Sequence, residues 1–349
     1  MSRTVIASVR VELVEAALKR PFVTAQGRRE RTVNAALTLR LRSGAEGYGE
    51  ASTSIAQKHL TAPALKRALQ SLARRAVGRD ARGWRKLVQE AWTLRGDLSP
   101  AVAAFESALL CALAAEAGTD LAGWLGGAAR RLETDITLSA WNDPRLTAEA
   151  AAEAAKAGFR VLKIKVGGRL KDDLARVRAA RAAAPRARLI LDGNQGFTPR
   201  GALRFVETVL REGARVELLE QPTPKGDLAG LAFTAKRCPV PVAADESVAT
   251  PEDAARAAEA GVSAINIKLA KSGISRGLEI AAVARAAGLP LMIGCMAETA
   301  RGLAASVHFA LGTGFFRWAD LDSDLLLVEN AATRRRAGWT RRGRFAELP

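Results

Sequence analysis

The sequence predicts an α/β protein: a (β/α)8-type barrel preceded by an N-terminal α+β capping domain. Two observations predict it. Beyond residue 134, eight short β-branched or apolar runs recur at intervals of roughly 25 residues, with Ala- and Arg-rich amphipathic stretches of helical length between them. These runs lack strict polar alternation, which is how strands buried on both faces read. Such a repeat fits a closed barrel better than an open doubly wound sheet, and no G-x-G-x-x-G opens a helix after an early strand to favour the latter.

The first 120 residues differ in texture. TVIASVRVEL (4–13) and TVNAALTLRLRS (32–43) read as strands, and GAEGYGE (44–50) as a Gly-rich turn with a further short strand. Helical stretches follow at 63–77, 81–95 and 100–117. The last is opened by Ser99-Pro100, an N-cap followed by proline at the first helical position. Residues 119–133 read as a connector. The barrel strands are then DITLS (135–139), VLKIKV (161–166), RLILD (188–192), VELLE (216–220), VPVAAD (240–245), AINIK (264–268), LPLMIG (289–294) and FFRWADLD (315–322). The expected division is 1–120, 121–325 and 326–349, the last segment packing back on the N-terminal unit.

Composition narrows the chemistry. With 349 residues, 48% hydrophobic and 26% charged, the chain has the apolar content of a globular protein and not of a disordered one. Charge interrupts every long apolar run before the roughly 20 residues a bilayer needs, and the N-terminus lacks a signal-peptide pattern, so a cytoplasmic chain without a membrane partner is expected. Cys111, Cys238 and Cys295 are far apart, encoding neither a disulfide framework nor a zinc site. Only His59 and His308 are present, which excludes most His-based catalysis and multi-imidazole metal sites. With Tyr48 the single tyrosine, acid–base work falls to lysines and carboxylates. The net charge of +17 is mostly Arg spread over helical faces (176–188) and the tail (334–344). Nothing interleaves aromatics with these charges in a recognised binding module, so no nucleic-acid partner is expected; a non-catalytic, polyanion-binding barrel is the rival reading.

Barrel enzymes place their chemistry at the C-terminal ends of the strands. Asp192, Glu220 and Asp245 close the third, fourth and fifth runs. Three carboxylates on adjacent strand ends make a hard all-oxygen site suited to Mg²⁺, the alternative being acidic caps on the following helices. Lys163 and Lys165 lie two apart and leave one face of the second strand. Lys268 ends the sixth, opposite the second in an eight-stranded barrel. Unless these lysines snorkel to water, buried ammonium groups need nearby anions. The set suits removing a proton from a carbon beside a carboxylate, with Mg²⁺ stabilising the enediolate. Lys165 is expected to be one base, Lys163 the cation that lowers its pKa, and Lys268 the acid or base on the other face. Two bases on opposite faces of one carbon make a racemase or epimerase. At the eighth strand end Asp320 and Asp322 project to one face, either to hold a cation such as an α-ammonium or as solvent-facing loop acids. Asp324 continues the spacing and is expected beyond the pocket.

KIK (163–165), DGNQG (192–196), EQP (220–222), ADES (244–247) and NIKLAKSGI (266–274), with the Gly47 to Glu50 G-x-G-E segment, resemble the enolase superfamily in its muconate-lactonising branch along the whole chain. The resemblance implies that Asp192, Glu220 and Asp245 bind Mg²⁺ with Asn194 in support, and that Lys165 and Lys268 are the acid/base pair. The D-x-D of Asp320 and Asp322 is similar to that of dipeptide epimerases, whereas cycloisomerases, o-succinylbenzoate synthases and N-acylamino acid racemases are the nearest alternatives. GCMAET (294–299) is also epimerase-like, with Cys295 and Met296 either against substrate or in the core. In PFVTAQGRRER (21–31), Arg29 matches a position at which some Ala-Glu epimerases carry arginine, although Arg28 and Arg31 compete for the role. The implied substrate is an L-Ala-D/L-Glu dipeptide of peptidoglycan turnover or a related dipeptide. His59 is a candidate for either pocket or surface, and a homo-oligomer stays open.

Overall fold

A computed structural model describes residues 2–329 and 331–349. Strands β1 (Ile6–Thr24), β2 (Gly27–Leu41) and β3 (Glu46–Ala51) form an antiparallel sheet in that order, and helices α1 (Ala62–Ala76), α2 (Trp84–Arg95) and α3 (Ser99–Glu116) follow. Helix α3 lies directly on β3, and glycine makes this approach feasible. A Cβ at Gly47 or Gly49 would run into the backbone of Ala108 or Ala104. Ser99 does not cap α3 as expected: it is the helix's first residue, and its hydroxyl donates to Ala270 O at 3.2 Å. The stretch 21–31 is not a free loop. It is the tip of the β1–β2 hairpin, with Val23 opposite Arg28 and Thr24 opposite Gly27. The alternation that betrays β1 is broken by an irregularity between Ala17 and Phe22, a segment holding Pro21, which has no N–H for the ladder.

After α4 (Leu121–Trp124) and β4 (Arg131–Glu133) the barrel begins. Its elements are β5 (Ile136–Leu138), α5 (Pro144–Lys156), β6 (Val161–Lys165), α6 (Leu170–Ala183), β7 (Arg188–Asp192) and α7 (Pro199–Arg211). They continue through β8 (Val216–Glu220), α8 (Leu228–Ala235), β9 (Val242–Ala244), α9 (Pro251–Ala260), β10 (Ala264–Ile267) and α10 (Leu269–Ala286). The last are β11 (Leu291–Gly294), α11 (Ala300–Thr313) and β12 (Phe316–Asp320). The eight strands are hydrogen-bonded in chain order and parallel throughout. The repeat is incomplete at its end, where the short α12 (Ser323–Leu326) replaces a full eighth helix.

The two end strands, β5 and β12, are joined largely by side chains. Asp135 N donates to Ala319 O (2.9 Å), and Leu321 N donates to Thr134 Oγ1 (2.8 Å), whose own hydroxyl donates to Ala319 O (3.2 Å). Inside the barrel a separate apolar cluster runs from Val161 on β6 to Trp318 on β12. Because strand side chains alternate, the residues two positions further on form the next layer on the same inward face. Those residues are Lys163, Asp192, Glu220, Asp245, Asn266 and Asp320. The hydrophobic plug is therefore the floor of a charged chamber.

Contrary to the expectation that charge interrupts every long apolar run, Ala81–Glu116 is long and apolar enough to cross a bilayer by length and composition. Its most apolar window is 83% buried inside the protein, α3 lying between β3 and α10. Glu106 of α3 accepts from Ile274 N (2.8 Å) and Ser275 N (2.9 Å), just past Gly273, where a positive φ breaks α10. The C-terminal segment contributes α13 (Ala331–Arg335), β13 (Thr340–Arg342) and β14 (Phe345–Glu347). It meets the N-terminal sheet at Leu18–Leu327, while β14 pairs with β4 on one side and β13 on the other, and Trp339 Nε1 donates to Ala300 O (2.9 Å) on α11. The tail thus touches both the N-terminal sheet and α11 of the barrel.

Candidate active site

The charged chamber is ordered by ion pairs. Lys163 is fully buried, and its Nζ reaches Asp320 Oδ2 (2.5 Å), Glu220 Oε2 (2.7 Å) and Asp192 Oδ2 (3.2 Å). Lys165 Nζ donates to Asp192 Oδ2 (2.6 Å). On the other wall Lys268 Nζ donates to Asp245 Oδ2 (2.6 Å) and stands 3.9 Å from Glu220 Oε1. Since β6 and β10 are four apart in an eight-strand order, Lys165 and Lys268 rise from opposite walls. These lysines do not snorkel to water; each is held inside by carboxylates.

Burial and mutual repulsion set the protonation of the acids. Burial pushes the Glu220 carboxyl up to about 8, with Asp192 and Asp245 adding to it against the pull of Lys163. Burial also acts on Asp192, but Lys165 and Lys163 overcome it and hold this carboxyl down at about 2. Lys268 and Lys271 likewise outweigh burial and hold Asp245 well below the carboxylate range. Burial by itself would lower Lys163 and Lys268, yet the carboxylates around them raise both above the usual lysine range.

Three residues after the strand ends occupy the left-handed region without being glycine: Asn194 (φ 41°), Gln195 (φ 69°) and Gln221 (φ 32°). Asn194 N donates to Asp192 Oδ1 (3.0 Å), and Asn266 Nδ2 donates to Glu220 Oε1 (2.8 Å), so each acid is aimed by a neighbour. Asn266 and Lys271 went unassigned from sequence. Asn266 had a signal, standing two before Lys268 on the same strand face, whereas Lys271 lies past the strand and reaches back to Asp245 Oδ1 (2.7 Å) and Asn266 O (3.2 Å).

The donors fit a hard divalent cation. Asp192, Glu220 and Asp245 offer only oxygen, from three consecutive strand ends at 0–1% exposure. Glu220 Oε2 lies close to Lys163 Nζ but off the line of any hydrogen bond, and the buried Asn194 Oδ1 and Glu246 Oε2 have no donor either. Oxygens so placed call for positive charge. The tighter grouping among the described residues is another one: ligand atoms of Cys295, Asp320 and Asp322 lie within 4.8 Å of one another. The three strand-end acids are spread wider, with Lys163 between Asp192 and Glu220 and Lys268 between Glu220 and Asp245. The second grouping is less suited to Mg²⁺, since burial, with Asp320 and Asp322, raises its thiol well above the usual range and keeps it neutral.

The cavity over the chamber is lined by Phe22, Arg29, Lys165, Lys268, Asp320 and Asp322 among others, with Cys295 and Met296 also reaching it. Asp320 accepts from Thr137 Oγ1 (3.3 Å) and Asp322 from Thr137 N (2.6 Å). Burial and the charge on Asp320 push Asp322 up to about 7. Asp324 lies away from the cavity, paired with Arg341 (2.6 Å). Of the three tip arginines only Arg29 faces inward, donating to Thr53 O (3.3 Å); Arg28 and Arg31 are exposed and pair with Glu30 and Glu15. His59 is exposed and outside the lining. The hairpin tip is tied down by Trp141 Nε1 to Pro21 O (2.8 Å), Ala140 N to Val23 O (2.9 Å) and Gln26 Nε2 to Asn194 O (2.8 Å).

Comparison with known proteins agrees with this architecture. The Enolase C-terminal domain-like family matches residues 146–339. An L-Ala-D/L-Glu epimerase from Thermotoga maritima is 38% identical over 94% of this chain and 94% of its own length. An aromatic dipeptide epimerase from Herpetosiphon aurantiacus is 37% identical over 94% and 92%. A dipeptide epimerase from Enterococcus faecalis, solved with Mg and the dipeptide L-Leu-L-Tyr, superposes with a TM-score of 0.91 at 31% identity, covering 99% of this chain and 97% of the other. The chain belongs to the enolase superfamily, on the branch occupied by these dipeptide-epimerase relatives.

Proposed function

We propose that the protein is a Mg²⁺-dependent dipeptide epimerase that transfers a proton at the Cα of the C-terminal residue through an enediolate. One observation carries the reading: two buried lysines on opposing walls share a cavity with the paired carboxylates Asp320 and Asp322. Lys165 takes the proton from one face of the Cα and Lys268 returns one to the other, which inverts the centre. Asp320 and Asp322 hold the dipeptide's ammonium, leaving its carboxylate towards Asp192, Glu220 and Asp245. When bound by those three acids, Mg²⁺ supplies positive charge against the substrate carboxylate, with Asn194 supporting Asp192. Lys163 ties the metal acids to Asp320 and so fixes the distance between the two ends of the site.

The D-x-D separates this reading from cycloisomerases, o-succinylbenzoate synthases and N-acylamino acid racemases, whose substrates carry no free ammonium. Arg29 supports a C-terminal Glu, and hence an L-Ala-D/L-Glu dipeptide from peptidoglycan turnover in the cytoplasm. The apolar lining of Phe22, Ile55, Met296, Leu326 and Leu327 favours a second reading, a hydrophobic or aromatic residue at that place.

In D₂O, Lys165→Ala is expected to abolish deuterium incorporation starting from one epimer and Lys268→Ala from the other, read by mass spectrometry. Equal loss from both epimers in folded variants would refute the two-base assignment. A dipeptide library settles the side chain. Arg29→Gln should raise KM for C-terminal Glu by about tenfold while leaving hydrophobic dipeptides within about twofold, if Arg29 makes a charge-assisted pair. Salt-sensitive DNA binding by a chain that exchanges no Cα proton would instead support the polyanion reading.

A further inference from the structure

Among the described residues, Asp135 is the one carboxylate whose two oxygens are both buried and both without a hydrogen-bond donor. It is 2% exposed, and no lysine or arginine pairs with it among the described residues. The backbone fixes its place: Asp135 N donates to Ala319 O (2.9 Å), and strand alternation puts its side chain on the face shared with Thr137, which serves Asp320 and Asp322. Its charged neighbours are Asp320, Asp322 and Lys163. Burial raises its carboxyl well above the usual range, and Asp320 and Asp322 raise it further than Lys163 can lower it.

An ionised carboxylate so placed has neither solvent nor donor, and faces like charge. A proton removes the charge and converts one orphaned acceptor into a donor, and the carboxylate oxygens of Asp320 are the acceptors beside it. We propose that Asp135 is a neutral carboxylic acid whose O–H donates to Asp320, and that it is a positioning residue for the carboxylate pair that receives the dipeptide's ammonium. This rests on the ammonium-binding reading of Asp320 and Asp322. Asp320 is then held on three sides, by Lys163, Thr137 and Asp135, so that its orientation is set before substrate arrives.

Infrared spectra of chain labelled with ¹³C-aspartate test the protonation directly. After subtraction of the band of the partly protonated Asp322, identified with Asp322→Asn, a protonated carboxyl C=O band should be present at neutral pH, shift in D₂O and vanish in Asp135→Asn. Kinetics test the role. Asp135→Ala should raise KM for the dipeptide by about tenfold with kcat within about threefold, and Asp135→Asn, which keeps an N–H donor, should recover most of that loss. Absence of the band in the wild type, its survival in Asp135→Asn, or an unchanged KM in Asp135→Ala would overturn the proposal. If Asp135→Ala does not fold, the wild-type and Asp135→Asn spectra decide alone. A chain that shows the band but turns over no dipeptide refutes the epimerase reading and keeps the acid; one without the band loses the acid whatever its substrate.

Discussion

Gly294 ends β11 at a point where any side chain would press on the chemistry. A Cβ there would stand 2.8 Å from Lys268 Cε and 2.9 Å from Asn266 Nδ2. Gly294→Ala is therefore expected to lower kcat by about 100-fold by displacing Lys268, since small misplacements at a reacting centre have effects of that order. Its unfolding free energy should change by only about 1–2 kcal/mol, as for a modest overpacking, measured by urea titration beside the rate. At this scale the charged residues on inward strand faces were legible, whereas the neutral Asn266 on such a face went unassigned. Lys163, Lys165, Asp192, Glu220 and Asp245 could be read because a two-residue period and the end of an apolar run mark them together. Lys271 and Asp135 could not. One acts from a helix through a reach back to Asp245, and the other opens its run, at the end away from the strand C-termini where the chemistry is expected.

The elements were legible to within a few residues because each barrel strand is a short apolar run bounded by turns. The hairpin tip escaped because alternation fails at Lys19-Arg20-Pro21, and Ser99 misled because its hydroxyl serves Ala270 of the barrel and not its own helix. The join between β5 and β12 was invisible in sequence, being made by Thr134 and Thr137 as much as by backbone. Thr134→Val keeps the shape but leaves Leu321 N without an acceptor. It should destabilise the protein by about 1–3 kcal/mol, the range for a buried donor left unpaired, read from the denaturant midpoint at unchanged slope.

At the scale of the molecule, the sheet of β1–β3 and the barrel meet through buried polar contacts. Glu50 accepts from Asn34 Nδ2 (2.7 Å) and Thr299 N (3.0 Å), Glu106 holds the break in α10, and Gln26 reaches Asn194. The G-x-G-E resemblance pointed to Glu50, but its task of docking β3 onto the start of α11 required the fold. Where the donor set for Mg²⁺ is real, the ion binds the folded chain alone. Mg²⁺ at about 100 times its Kd should then stabilise the protein by about 2.7 kcal/mol, seen as a rise in Tm that EDTA reverses and that Asp192→Asn or Asp245→Asn removes. An unchanged Tm across a Mg²⁺ titration would count against the three-acid assignment.

Thr137 has a double allegiance: its amide and hydroxyl engage Asp322 and Asp320 while its strand is the edge that shuts the cylinder. On the proposed reading of Asp320 and Asp322 as the ammonium site, recognition of the ligand and closure of the scaffold share the same atoms. A lineage drifting towards substrates without an amine would first have to sew the wall together some other way, so chemistry at the strand-end acids can diversify more freely than the grip on the far end of the ligand.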